Sequence, residues 1–355
     1  MAKSAPNYGF PWLKALVVLV ALLALIALPR FVNSPYALHI LILILLSTIM
    51  GQSWNLLGGY TGQYSVGHAA YFGVGAYMTI WLMQNQHVVP WKGMWAGVLA
   101  AALVALIIGS ICFRLRGPYF VLASIAVTEI MRLTATNMKT FTNGAEGILA
   151  TEVPPLMWGG TVVTDWLTKV PFYYAALGLA SLTILVTFLV ERSKLGYYFV
   201  AIREDQDAAH SLGINLPLYK NLALLFSAVL TSMAGSFYAM YVGFVDPPTT
   251  LGLDLSVQIV LICIIGGIGT LSGPLVGACV LVPLSELLRS NAIPELLIKW
   301  GWVSESSKFG VFLKENLAHA HVLIYGILVV VVILFLPEGL VGFFRRLRRK
   351  TAGRA

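Results

Sequence analysis

Two oppositely charged residues, Glu129 and Arg132, stand three positions apart within a strongly apolar segment of the chain. An ionisable side chain at membrane depth is costly unless it is paired or hydrated. Residues at i and i+3 share a helix face, so this carboxylate and this guanidinium can neutralise each other. The spacing predicts an ion pair that is either purely structural or involved in gating or in contact with a zwitterionic solute.

The other residue types that commonly perform catalysis or bind metals are scattered. Cys112, Cys263 and Cys279 lie far apart in apolar segments, which predicts buried small side chains rather than a disulfide framework or a metal site. The histidines lack metal-ligand spacing, and no Ser-His-Asp or Cys-His arrangement is recognisable. We therefore expect no catalysis by this chain and no cofactor or metal bound to it.

The glycine-rich stretch Gly266–Pro274, GGIGTLSGP, resembles a nucleotide-binding loop only superficially. It lacks the Gly-Lys-Ser/Thr ending with which such a loop holds phosphates. It also stands between apolar runs rather than between a strand and a helix of a soluble domain. We expect a glycine-lined break between two helices and no ATP bound by this chain.

The composition indicates the elements that must position these residues. The 355 residues are 58% hydrophobic and only 11% charged, and the mean hydropathy is +0.83. Ordinary globular chains carry about twice that charged fraction. The bilayer must therefore be the solvent for most of the chain. The net charge of +8 comes without a basic, aromatic-interleaved soluble face, which argues against a nucleic-acid partner.

Ten apolar runs have the composition of membrane helices or half-helices. They lie near 12–29, 36–57, 66–84, 94–113, 119–138, 172–190, 221–243, 255–270, 274–289 and 319–336. The runs at 255–270 and 274–289 are short and separated by LSGP, so eight or nine full spans are alternatives. We predict an all-α polytopic membrane protein with about ten helices, some of them discontinuous.

The distribution of basic residues indicates the orientation. With the N-terminus inside and ten alternating spans, 14 of the 23 basic residues fall on the cytoplasmic side and 8 outside. This bias predicts that both termini are cytoplasmic. We expect a single transmembrane domain over 1–355, with an N-terminal helix near 12–29 that is retained rather than cleaved. The core of the membrane domain follows near 36–344, and a basic cytoplasmic tail occupies 345–355.

The segment NLLGGYTGQYSVGHAAYFGVGAY, Asn55–Tyr77, combines many glycines with uncharged polar side chains. Irregular backbone within a bilayer is tolerated only where protein buries it or where it lines a wet cavity. Glycines let helices approach closely or break. We therefore predict a discontinuous helix, beside a translocation path or at a tight packing interface. The candidate path residues are Asn55, Gly59, Thr61, Gly62, Gln63, Ser65, His68, Glu129 and Arg132.

The most charged interior segment is predicted to be cytoplasmic and to contain a short capped helix. Asp205 suits the N-cap, and Gly213 suits the left-handed residue at which such a helix stops. Ala208, Ala209 and Leu212 then form a small apolar patch at i, i+1 and i+4. Such a helix either lies on the membrane surface or docks into a groove of another protein.

Several motifs, in order along the chain, point to one family. DAAHSLGINLP, residues 207–217, resembles the EAA-type cytoplasmic loop of ATP-binding-cassette importer permeases, with Asp207 in place of the usual glutamate. Other segments resemble the second permease of branched-chain amino acid importers: GGYTGQYSVGHAAYFGVGAYMT, LRGPYFVLASIAVTEIMR, TNGAEGI, GGIGTLSGPLVGA and LPEGLVGFFRR. The resemblance extends over about Asn55–Arg346.

The resemblance implies a permease subunit in the bacterial inner membrane. Its partners would be a sister permease, two ATPase subunits that bind ATP and Mg²⁺, and an extracytoplasmic solute-binding protein. The solute would be a branched-chain or related amino acid, with urea or short amides as alternatives. The resemblance also implies a loop that docks on the ATPase, with the coupling residues Arg203, Glu204, Asp207, Ala208, Ala209, Leu212 and Gly213.

Two other function classes explain fewer of the sequence features. A stand-alone secondary transporter or channel would explain the broken helices and the charged pair, but not the docking helix. An intramembrane enzyme would need a nucleophile or a metal set, and none is recognisable in the sequence.

Overall fold

The computed structural model describes residues 11–32, 34–115, 117–150, 156–158, 161–164, 168–289, 326–327, 330, 339–343 and 346. Each of the first nine apolar runs coincides with a helix. The tenth run, near 319–336, lies almost entirely outside the described residues, as do the first ten residues and most of the basic tail. The count of ten spans and the sides of the termini therefore stay predictions.

The helices follow one another, most of them with short connections, but residues 143–168 separate the sixth helix from the seventh. They are α1 (Pro11–Phe31), α2 (Pro35–Asn55), α3 (His68–Gln86), α4 (Pro90–Cys112), α5 (Pro118–Asn137), α6 (Lys139–Thr142), α7 (Lys169–Arg192), α8 (Lys194–Glu204), α9 (Gln206–Ser211), α10 (Leu216–Val242), α11 (Pro247–Leu251), α12 (Leu253–Gly266) and α13 (Gly273–Arg289). A π-helical turn, Leu56–Tyr60, extends α2, and a 3-10 turn covers Gly144–Glu146.

Two small antiparallel sheets accompany the helices in the described part of the chain. In the first, β1 (Ile148–Leu149) pairs with β4 (Phe244–Val245). In the second, β2 (Leu156–Trp158) pairs with β3 (Thr161–Thr164). The first sheet ties the loop that follows α5 to the end of α10.

Six helical segments of the described chain are long and apolar enough to cross a membrane. They are Pro35–Tyr60, Pro90–Cys112, Pro118–Asn137, Lys169–Arg192, Leu216–Val242 and Pro247–Gly266. This confirms an all-α polytopic membrane architecture. The last of these segments reaches that length only by joining α11 to α12, because the 14 residues of α12 alone span about 21 Å, less than the hydrocarbon thickness of about 30 Å. The predicted short pair is thus a helical hairpin of α12 and α13, broken at the glycine-lined turn 267–272.

The helices begin where the local chemistry favours it. Prolines occupy the first turn of α2, α4, α5, α10 and α11. A missing N–H costs nothing there, because the first amides of a helix have no intrahelical acceptor. Ser34, Asn215 and Asp246 cap α2, α10 and α11 with side-chain oxygens. These caps fix the helix ends on both sides of the bundle.

The core forms where α10 packs against α3, α4 and α2. Small residues make this packing close: a Cβ on Gly235 would overlap the carbonyl oxygen of Phe72, and one on Gly75 would overlap the backbone of Ser232. In contrast, most of the apolar stretch of α4, α5 and α7 is not buried inside the protein, and large side chains such as Leu99, Leu122 and Leu189 are exposed. An apolar outer surface is what lipid or a second membrane subunit requires.

The cysteines follow the prediction with one exception. Cys112 and Cys263 are buried, whereas Cys279 is exposed. The prediction of burial is therefore wrong for Cys279. The reason is the packing of α13, which contacts α12 through the opposite helix face at Gly277 and Ala278.

Candidate functional site

The glycine-rich segment forms the predicted break in a helix. After α2, the chain makes the π-helical turn, and residues 61–67 are not helical until α3 begins at His68. Gly62 has φ +68°, a left-handed conformation that other residues rarely adopt. A Cβ on Gly62 would also lie 2.9 Å from Cγ of Arg203. A glycine is therefore required at this position on two counts.

Asn55 holds the break against a second glycine-lined turn. Its Nδ2 donates to the carbonyl oxygen of Thr270 at 3.0 Å, and its Oδ1 accepts from the backbone N–H of Gly269 at 2.8 Å. The side chain is fully buried. Asn55 therefore joins the end of α2 to the turn between α12 and α13.

The other polar residues of the break also form hydrogen bonds inside the protein. Thr61 Oγ1 donates to the carbonyl of Leu57 at 2.5 Å, and Gln63 Nε2 donates to the carbonyl of Thr61 at 3.2 Å. All are buried, as they must be where backbone is irregular at membrane depth. These hydrogen bonds agree with the alternative in which the glycine-rich segment forms a tight packing interface.

The start of α3 is fixed in the same way. The indole Nε1 of Trp54 donates to the carbonyl of Ser65 at 2.6 Å, and Ser65 Oγ accepts from the backbone N–H of Gly67 at 3.2 Å. The ring of His68 is fully buried, with Nε2 2.6 Å from Oγ of Ser227 on α10. These contacts position α3 against α10.

A cavity of about 470 Å³ lies beside the break. Its lining comes from the break, from the start of α5 and from the first residue of α9. The residues that line it are Gly62, Gln63, Tyr64, Gly117, Pro118, Phe120, Val121, Leu122 and Gln206. Of the nine candidate path residues, only Gly62 and Gln63 border this space.

Glu129 and Arg132 form the predicted ion pair on α5. Nη2 of Arg132 lies 2.5 Å from Oε1 of Glu129, and Nε donates to Oε2 at 2.9 Å. The side chains are 28% exposed for Arg132 and 45% exposed for Glu129. The pair therefore lies on the outer side of α5, away from the buried break. An exposed pair on a membrane helix needs water or protein beside it, because lipid solvates charge poorly.

The predicted short helix forms as α9, with both predicted end signals. Oδ1 of Asp205 accepts from the backbone N–H groups of Asp207 and Ala208 at 2.9 and 3.0 Å. Gly213 has φ +85° and donates its N–H to the carbonyl of His210 at 2.9 Å. Nothing lies within 4 Å of a Cβ placed on Gly213, so its conformation alone calls for glycine.

The outward face of α9 differs from the predicted patch in one residue. Ala208 is exposed and Leu212 is 82% exposed, and these residues, at i and i+4, share a face. Ala209 is only 2% exposed and packs with Ile202 and Leu216. Placing Ala209 on a docking face is therefore wrong. Successive helix residues point about 100° apart, so the neighbour of an outward Ala208 faces the protein.

Arg203 connects this segment directly to the helix break. Its Nη1 donates to the carbonyl oxygen of Gly59 at 3.1 Å. Its Nε and Nη2 both donate to Oε1 of Glu204, at 3.1 and 2.7 Å. Gly59 is a candidate path residue and Arg203 a candidate coupling residue. The structure brings the two into direct contact.

Two further contacts at this end of the bundle involve residues that the sequence did not single out. The hydroxyl of Tyr60 donates to Oε2 of Glu191 at 3.1 Å, joining the π-helical turn to the end of α7. Nζ of Lys220 donates to Oε1 of Gln206 at 2.8 Å, joining α10 to α9. Tyr60 and Glu191 stand 131 positions apart, so no local pattern reveals their contact.

Comparison with known proteins identifies one family. Residues 36–333 match the family described as branched-chain amino acid transport system permease component. The chain is 30% identical over 309 residues to the high-affinity branched-chain amino acid transport system permease protein LivM of Escherichia coli strain K12, covering 81% of this chain and 72% of that protein. It is 27% identical over 311 residues to LivM of Salmonella typhimurium, with the same coverage of each chain.

More distant relatives transport other solutes, according to their names. The chain is 24% identical over 218 residues to the L-arabinose ABC transporter permease protein AraH of Azospirillum brasilense, covering 59% of this chain and 60% of that protein. No solved structure matches the chain.

Proposed function

The chain belongs to the family of branched-chain amino acid transport system permeases and is an ATP-binding-cassette permease of the LivM type, and from this premise we propose that it moves a branched-chain or related amino acid across the bacterial inner membrane. An extracytoplasmic binding protein delivers the solute. A sister permease completes the membrane path, and two separate ATPase subunits bind Mg²⁺ and hydrolyse ATP.

The observation that carries this proposal is the outward face of α9. The capped helix α9 presents Ala208 outward, and its C-cap residue Leu212 points the same way, while Ala209 packs against Ile202 and Leu216. A leucine that is 82% exposed on a polar segment suits a shallow groove of another protein. We propose that this face docks on an ATPase subunit on the cytoplasmic side.

The contacts of α9 suggest how docking would act on the membrane part. Arg203 and Lys220 join the segment to the break after α2 and to α10. Closure of the ATPase pair on ATP would therefore shift helices that surround the buried break. Alternating access follows if this shift opens the path first towards the binding protein and then towards the cytoplasm.

For the path itself we propose the outer side of α5. Glu129 and Arg132 are partly exposed there, and burial in lipid would be costly even for a pair. A sister permease beside α5 would enclose them in a wet interface. Paired charges of both signs suit an amino acid, which carries a carboxylate and an ammonium group.

The substrate class rests on the two LivM relatives, which are named for branched-chain amino acids. Urea and short amides are the alternatives, because a more distant relative is named for a chemically different solute, L-arabinose. Titrating the cognate binding protein with a panel of amino acids, amides and urea tests the assignment. Tight binding of leucine, isoleucine or valine is the expected result, and selective binding of urea would contradict it.

The docking role is tested by placing a charge on the outward face. Leu212→Arg should prevent co-purification with the ATPase subunits and abolish uptake, since burying an unpaired charge costs about 3–5 kcal/mol. Arginine is a good helix former, so α9 itself should persist. Leu149→Arg is the matched control, because Leu149 is 63% exposed on β1 at the other end of α10.

The same experiment separates the importer from a stand-alone transporter or channel. A lone carrier would take up solute in vesicles that contain only this chain, and Leu212→Arg would leave that uptake unchanged. An importer permease requires the complete complex and ATP.

A further inference from the structure

We propose that Arg203 is the positioning residue that couples movement of α9 to the helix break after α2. The inference rests on the proposed function, because it assumes that α9 is the segment on which ATPase subunits act. It assigns to one side chain the task of carrying that movement into the membrane part of the protein.

Arg203 is placed to move with α9. It lies in the last turn of α8, two positions before the Asp205 cap from which α9 begins. The guanidinium is held by Glu204, whose Oε1 accepts from both Nε and Nη2. Any rotation or translation of α9 is therefore transmitted to the arginine over a very short length of chain.

The acceptor of Arg203 is a carbonyl that the helix leaves open. The last carbonyls of a helix lack intrahelical donors, and Gly59 stands one residue before the end of the π-helical turn. Nη1 of Arg203 donates to this oxygen at 3.1 Å. A cation is also favoured at the negative end of a helix dipole, and a charged donor strengthens the hydrogen bond.

Three glycines surround the arginine closely. A Cβ on Gly62 would lie 2.9 Å from its Cγ, and a Cβ on Gly269 would lie 2.9 Å from its Nη1. Gly59 supplies the accepting carbonyl. These glycines come from the break, from the turn between α12 and α13, and from the π-helical turn, so the side chain touches all three elements.

The elements that Arg203 touches are also connected to each other through Asn55. The turn between α12 and α13 is fastened to α2 by the two hydrogen bonds of Asn55. Displacing Arg203 would therefore act on the break and on the α12–α13 hairpin together. Gly62 and Gln206, the first residue of α9, both line the cavity of about 470 Å³.

The test uses the complete complex reconstituted with sister permease, ATPase subunits and binding protein. Arg203→Ala should leave the complex assembled and ATP hydrolysis active while uptake falls at least about tenfold, within the usual range of coupling energies. Arg203→Lys should recover part of the uptake, because an ammonium group can still donate to Gly59. Arg192→Ala is the matched control, since Arg192 is an exposed arginine at the same end whose guanidinium stacks on Phe188.

A labelling measurement separates coupling from mere loss of structure. Tyr64, 51% exposed beside the cavity, is replaced by cysteine in a Cys279→Ser background, because Cys279 is exposed. With Arg203 present, trapping the ATPases with nucleotide should change the rate of maleimide labelling at least about fivefold. With Arg203→Ala, the rate should be the same in both nucleotide states.

The outcomes distinguish this inference from the function on which it rests. Undiminished uptake by Arg203→Ala, or equal nucleotide dependence of labelling with and without Arg203, would overturn the coupling role and leave the importer function standing. Loss of ATPase binding by Arg203→Ala would also overturn it, since the arginine would then support docking rather than transmission. Failure of the unmodified chain to assemble with ATPase subunits would overturn both.

Discussion

Gly62 in the helix break can be compared with two other glycines, Gly213 and Gly178. The comparison separates the effect of a left-handed backbone from the effect of close packing. Gly62 has φ +68° and a close neighbour in Arg203, whereas Gly213 has φ +85° and nothing within 4 Å of an added Cβ. Gly178 lies in α7, exposed, with no close neighbour and no unusual φ. Alanine at position 178 should therefore incur neither a conformational nor a steric cost. Alanine at position 213 should incur only the conformational cost, and alanine at position 62 should incur both.

The expected magnitudes follow from these surroundings. Gly178→Ala should stabilise the protein by about 0.5–1 kcal/mol, as alanine favours a helix interior over glycine. Gly213→Ala should cost about 1–2 kcal/mol, the penalty of a left-handed residue with a side chain. Gly62→Ala should add to that penalty about 1–3 kcal/mol from the overlap with Arg203.

The assay is thermal unfolding of the purified chain in detergent, together with uptake by the reconstituted complex. The melting temperatures should rank Gly178→Ala highest, Gly213→Ala lower and Gly62→Ala lowest. Uptake should fall most for Gly62→Ala, because the overlap also displaces Arg203 from Gly59. If Gly62→Ala melts and transports like the unmodified chain, the break is neither left-handed nor tightly packed, and the reasoning fails.

Three other perturbations address the topology, the hydrogen bonds of Asn55 and the charged pair on α5. Cysteines at Ser211 and Ala150 should react with membrane-impermeant reagents from opposite sides, the first from the cytoplasm; labelling of both from one side would contradict the ten-span orientation. Asn55→Ala should lower stability by about 1–3 kcal/mol in thermal unfolding, because the buried Asn55 side chain loses two hydrogen bonds to the turn between α12 and α13. The single change Glu129→Gln should impair uptake, and so should the double change Glu129→Gln with Arg132→Gln; recovery in the double variant would mean that the pair is only structural.

Local chemistry explains which features of the site could be predicted from the sequence. The ends of α9 follow from Asp205 and Gly213, because an N-cap and a left-handed stop act within a few residues of the chain. The Glu129–Arg132 pair follows from its spacing for the same reason. The break after α2 follows from a run of glycines that a plain membrane helix does not need.

Features that depend on packing could not be predicted in this way. The inward orientation of Ala209 depends on where α8 and α10 lie, and the exposure of Cys279 depends on which face of α13 meets α12. The contact between Arg203 and Gly59 joins residues 144 positions apart. No periodicity or motif encodes such a contact, although both residues stand in segments that the sequence singled out.

The central claim is that the outward face of α9 contacts an ATPase subunit. Its most direct test is site-specific photo-crosslinking in the assembled complex, with a photoreactive phenylalanine derivative at Leu212 and, as a control, at Leu149. The probe at Leu212 should form a covalent adduct with an ATPase subunit, and the probe at Leu149 should form none with it. Adducts of Leu212 with lipid or with the extracytoplasmic binding protein, and none with an ATPase subunit, would contradict the claim.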